Sequence, residues 1–133
     1  MTTTGGCHCG AIRYTAEDEP EHHALCHCRD CRTWSGAPMA GWIAWQADRV
    51  TITGEPVTYR SSEHGRREFC GACGTGLFYR NEEALPGIVD IQSGTLDHAN
   101  AYPAGAHIMV KERLDWTRDI AALPEFRTYP GLD

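Results

Sequence analysis

Long apolar runs are missing from this 133-residue chain, and so is any excess of positive charge. No stretch approaches the roughly 20 apolar residues that a membrane-crossing helix needs, so no membrane partner is expected. The opening MTTTGGCHCG has neither a basic cluster nor an apolar core. No secretory signal is therefore expected, and the expected location is the reducing cytoplasm. Lysine and arginine number 12 against 18 acidic residues, a formal charge of -6. A groove that neutralises phosphates needs the opposite sign, which excludes nucleic acid as an expected partner and favours a small molecule. Low-complexity segments and linkers are absent. Helical periodicity is scarce too: a turn or two after Cys28, and a weak stretch near Arg118–Leu123.

What is present is a chain cut into short pieces by 14 glycines and 7 prolines. Ala11–Ala16, Met39–Trp45 and Arg49–Thr53 alternate as strands do, and Gly54-Glu55 turns the chain into Pro56–Arg60. Leu77–Arg80, Ile88–Gln92 and His107–Lys111 add three more short strands. The expected fold is mainly β, built of short antiparallel strands with at most one or two short helices, as a single domain over residues 1–133.

The 7 cysteines carry the chemistry, in three groups: GGCHCG, LCHCRDC and FCGACG. Seven is odd, so disulfide pairing cannot use every sulfur. Four thiolates close a tetrahedral zinc site, and three leave one position open to water or substrate. Cys70 and Cys73, followed by Gly74, have the form of a zinc knuckle. Cys7 and Cys9, alternate residues of an extended segment, would share a face and complete a structural site of Cys7, Cys9, Cys70 and Cys73. Cys26, Cys28 and Cys31 then form an open, catalytic zinc site, with Cys28 and Cys31 one helical turn apart. A rival partition pairs Cys7 and Cys9 with two of the central three. A thioredoxin-like redox use of C-x-x-C is a further rival, but the βαβ pattern it needs is missing. His27, between two ligands, should face away from the metal, while His22 and His23 stay candidates for a fourth ligand. Arg29 and Arg32 either offset thiolate charge or form a solvated face.

GGCHCGAIRY, CHCRDCRTWSGAP, GEPVTYRSS, FCGACGTGLFYR, IVDIQSGTLD and HIMVKERLDW occur in the order and spacing of a known family. Together they resemble the glutathione-dependent formaldehyde-activating enzymes, also called the Gfa or centromere-protein-V family, from Gly5 to about Phe126. The resemblance implies an Mss4-like β-rich fold. It implies a structural zinc on Cys7, Cys9, Cys70 and Cys73, and a second, labile zinc on Cys26, Cys28 and Cys31. It also implies a carbon–sulfur lyase that joins formaldehyde to glutathione as S-hydroxymethylglutathione. Under that expectation Ser35, Gly36 and Ala37 line a pocket, and Arg60, Arg66 and Arg67 are candidate anchors for glutathione carboxylates. The alternative is a noncatalytic zinc module that binds a thiol or a protein. Trp34, Trp42, Trp45 and Trp116 read as packing residues, His107 as a hydrogen-bonded structural histidine, His64 and His98 as solvent-facing. Asp90 and Asp97 read as strand and turn residues, and TYPGLD as a loop or tail.

Overall fold

A computed structural model describes residues 1–132, and Asp133, the end of the TYPGLD tail, lies outside the described residues. Ten strands and one α-helix follow in the order β1 (Thr2–Gly6), β2 (Arg13–Glu17), β3 (His22–Cys26), α1 (Arg29–Ser35), β4 (Ala40–Gln46), β5 (Val50–Thr53), β6 (Val57–Arg60), β7 (Gly65–Phe69), β8 (Gly76–Asn81), β9 (Ile88–Gln92) and β10 (Ala106–Ile108). A three-stranded sheet has the order β1-β2-β5, and a seven-stranded sheet the order β10-β3-β4-β9-β8-β7-β6. Neighbouring strands are antiparallel except β10, which runs parallel to β3. The mainly-β expectation holds. No helix of the described residues is long and apolar enough to cross a membrane.

β4 explains the layering. Its residues Trp42 to Trp45 are all buried, because both faces of this central strand are covered. Ile43 and Trp45 join Tyr14, Leu77, Phe78, Val89 and Ile91 in the main core. Ala40 and Trp42, on the opposite face, pack with Cys26 and Cys31. Alternation along one strand thus feeds two different clusters.

Three strands escaped the sequence reading. β1 is TTTGG, weak in β propensity, and it is held by pairing from Thr2↔Glu17 to Gly6↔Arg13. β3 begins with two histidines, and β7 (GRREF) is charged. Their strand character comes from neighbours rather than from local composition. His107–Lys111 was expected as one strand, but β10 stops at Ile108. Met109 takes a left-handed φ of 55° and opens a 3₁₀ turn over Val110–Glu112. The weak helical stretch near Arg118–Leu123 overlaps a 3₁₀ segment, Asp115–Ala122, interrupted at Asp119 and capped by Leu123.

Candidate metal centres and the reactive face

Two sulfur clusters form. Cys7, Cys9, Cys70 and Cys73 have their ligand atoms within 4.8 Å of one another, and so do Cys26, Cys28 and Cys31. In the first cluster Cys7 Sγ lies 3.7 Å from Cys9 Sγ, which lies 3.8 Å from Cys70 Sγ. A tetrahedral zinc with sulfurs at about 2.3 Å has ligand–ligand edges of about 3.8 Å, so this donor set fits that ion. The rival grouping, with Cys7 and Cys9 joined to the central three, is not the one the fold assembles.

The route by which Cys7 and Cys9 converge differs from the expected one. β1 ends at Gly6, and the following residues form a tight turn rather than an extended segment, with Gly10 N–H donating to Cys7 O at 3.1 Å and φ of 85° at Gly10. Cys70–Gly74 makes a matching turn, closed by Gly74 N–H to Cys70 O at 2.8 Å, with φ of 83° at Gly74. Left-handed backbone of this kind favours glycine at both turns. The Ile12 N–H points at Cys7 Sγ (3.2 Å). Thr75, which sequence reasoning passed over, links the two turns: its hydroxyl lies 3.2 Å from Cys73 Sγ and accepts from the His8 N–H at 3.0 Å. The Thr75 hydroxyl and amide bring the Cys73 thiol down to about 5. A hydroxyl directly after C-x-x-C-G was the available signal.

The second cluster is assembled differently. Cys26 ends β3, Cys28 caps α1 in extended backbone, and Cys31 lies in the helix's first turn, its N–H donating to Cys28 Sγ at 3.3 Å. Among the described residues no histidine or carboxylate joins these three sulfurs. His22 instead pairs with the buried Asp90 at 3.1 Å. His27 is fully buried and its Nε2 lies 2.9 Å from Nδ1 of His107. Arg32 does not offset the thiolates either: its Nε donates to His27 O at 3.2 Å.

The sheet under the trio supplies what the local sequence hid. Successive cross-strand partners place His22, Ala44, Asp90, Tyr79, Arg67 and Tyr59 in one row on one face. Of the three candidate arginines only Arg67 reaches the centre. It is 5% exposed, and its Nη1 and Nη2 lie 3.9 and 3.8 Å from Cys31 Sγ. Its guanidinium stands 5.3 Å from the Trp34 ring centroid and 4.9 Å from that of Tyr79. Arg66 turns away to the carbonyls of Ser62 and Glu63, and Arg60 to that of Glu63.

Protons are shared unevenly among these sulfurs. The hydrogen bond from Cys26, helped by Cys28, Trp42 and Arg67 against the effect of burial, holds Cys31 down at about 5. Cys26 is pushed far up, first by its bond to Cys31 and then by burial. Burial is also the main force raising Asp90, while His22 opposes it.

Trp34 separates two grooves beside this centre. One, of about 290 Å³, is lined by Trp34, Ser35, Phe69, Gly74, Gly76 and Gln92. The other, of about 240 Å³, is lined by Asp30, Thr33, Trp34, Tyr59, Ser61 and Arg67. Ser35 thus does border a groove, whereas Gly36 ends the helix with φ of 68°. A Cβ on Gly76 would come within 2.5 Å of the Trp34 ring, so the bare backbone of β8 is what admits the indole.

The family model described as "glutathione-dependent formaldehyde-activating enzyme" matches residues 2–112. The chain belongs to that family. A Halomonas elongata protein named as a putative glutathione-dependent formaldehyde-activating enzyme is 27% identical over 141 aligned positions, covering 98% of this chain and 88% of its own. An uncharacterized lyase from Schizosaccharomyces pombe is 35% identical over 75 residues, covering 56% of this chain and 55% of that protein. The chain therefore spans about half of the yeast relative's length. A Rhodobacter sphaeroides crystal structure shares the fold, with TM-score 0.63 and 17% identity, over 78% of this chain and 98% of that one.

Proposed function

We propose that this member of the family is a zinc-dependent carbon–sulfur lyase acting on adducts of a small thiol and an aldehyde, with glutathione and formaldehyde as the expected pair. The observation that carries this reading is the three-sulfur cluster without a fourth protein ligand among the described residues, set beside two grooves. Cys7, Cys9, Cys70 and Cys73 would hold one zinc as a structural clamp, and Cys26, Cys28 and Cys31 a second. A zinc held by these three sulfurs would supply Lewis acidity, able to acidify a thiol or polarise a carbonyl oxygen.

The chain's own part is positioning. The Cys28 Sγ accepts the Cys31 N–H, which fixes the cap sulfur against the first turn of the helix, while Cys26 is held at the end of β3. Trp34 and Tyr79 wall the site with aromatic faces and keep Arg67 beside Cys31. Ser35 Oγ donates to the Cys31 carbonyl at 2.7 Å, holding the helix end that borders the larger groove. In the reaction the thiol sulfur forms a bond to the aldehyde carbon. The carbonyl π pair moves to oxygen, and the thiol's proton ends on that oxygen, so the balance requires no oxidant or reductant. Bringing both partners into one groove supplies the proximity that raises the rate.

The test is formaldehyde consumption with glutathione by zinc-loaded protein, compared with Cys28→Ser. Loss of turnover with retained folding supports the proposal, whereas full activity in Cys28→Ser removes the trio from the chemistry. Binding of glutathione without product would instead favour the noncatalytic module.

A further inference from the structure

Arg67 is buried, yet among the described residues it has no carboxylate partner. A buried guanidinium ordinarily needs one, because desolvating a lone charge is costly. The negative charge it does meet is sulfur, at 3.8 and 3.9 Å. Charge accounting explains why that contact is useful. Three thiolates around a divalent ion leave the centre at minus one, and a fourth anionic sulfur makes it minus two. The four-cysteine cluster carries a similar excess, but Cys9 and Cys73 are exposed and water can screen it. Cys26 and Cys31 are buried, so the trio needs a cation from the protein.

We propose that Arg67 is the resident counter-ion of the three-cysteine centre, setting how firmly that centre keeps its metal as an anionic fourth ligand arrives. This rests on the reading of the trio as a metal site. Two aromatic faces keep the cation in place while leaving its charge unspent on any carboxylate. Register selects the residue: Arg67 pairs with Tyr79, in the row that lies under the trio, whereas Arg66, one position earlier, points to the other face. The role is one of positioning through Cys31 and needs no contact with substrate.

The experiment is zinc release from the fully loaded protein to a chromophoric chelator, comparing wild type with Arg67→Gln, Arg67→Met and Arg67→Lys. Cys28→Ser identifies which phase belongs to the trio. Wild type should release two zinc ions in a fast and a slow phase. Arg67→Gln and Arg67→Met should speed the trio's phase by about 10–100-fold, the usual effect of removing an outer partner of a metal ligand. The other phase should not move, and Arg67→Lys should recover most of the loss. Unchanged release in both neutral variants overturns the counter-ion role while leaving the metal reading intact. Equal acceleration of both phases overturns it as well, since Arg67 would then be packing only. A wild-type protein that binds one zinc sinks the metal reading itself, and this inference with it.

Discussion

The two sulfur clusters use the same residue type for different ends, and topology is what separates them. The four-cysteine cluster joins two glycine turns whose sulfurs, Cys9 and Cys70, are 61 positions apart, so a metal there clamps distant chain segments. The three-cysteine cluster comes from one short stretch, Cys26 to Cys31, already positioned by β3 and α1. Closing a long loop constrains the unfolded chain far more than bridging five residues does. On the proposed function, a metal at the first cluster would hold the fold, and one at the second would be free to react.

Cys70→Ser is the most severe way to break the comparison. Structural zinc in small domains is worth about 10–16 kcal/mol of apparent binding free energy, against a net stability of about 5–15 kcal/mol for a typical domain. The variant should lose its cooperative thermal transition by near-ultraviolet circular dichroism, and a native-like melting curve would end the clamp assignment. Cys28→Ser should do the opposite. It should melt close to wild type but lose more than about 100-fold of formaldehyde–glutathione turnover, along with one zinc by elemental analysis. If both variants behaved alike, the division of labour would be wrong.

Thr75→Val sharpens the comparison at smaller cost. Removing the hydroxyl beside Cys73 should weaken zinc at the four-cysteine centre by about tenfold in chelator competition, leaving the trio unchanged. The smallest effect is expected at Asp97, which ties the loop after β9 to Arg13 and Thr4. Arg13 first, then Thr4, holds its carboxyl down at about 2. A depressed carboxylate stabilises the fold fully above its unfolded value of about 4 and loses that contribution as pH falls through about 2. At pH 7 the contribution is therefore complete. The pair is partly exposed and screened, so Asp97→Asn should cost only about 0.5–1 kcal/mol in urea unfolding at pH 7, and less in high salt. A larger loss would mean that this loop supports the neighbouring four-cysteine turns more than its ion pair suggests.

Much of the β architecture is legible in the chain because alternation and turn residues are local signals. Ile88–Gln92 coincides with β9, and Arg49–Thr53 and Pro56–Arg60 each miss a strand boundary by one residue. β1 and β7 are not legible, since threonine–glycine and arginine-rich stretches become strands only through their partners. The cysteine groups are legible for the same reason that knuckles are short: their ligands sit a fixed few residues apart. Arg67 was one arginine among three until pairing with Tyr79 chose its face.

By itself the order of residues determined the sulfur inventory, the glycines that permit the turns, and the strand-rich character, all of which depend on neighbours within a few positions. Only the tertiary structure decided that Asp90 meets His22 and that Arg67 stands over Cys31 between two rings. Those contacts depend on strand register and on which face of the sheet receives the helix. Side-chain direction inverts with a shift of a single residue, so pairing across the sheet must form before any of them exists.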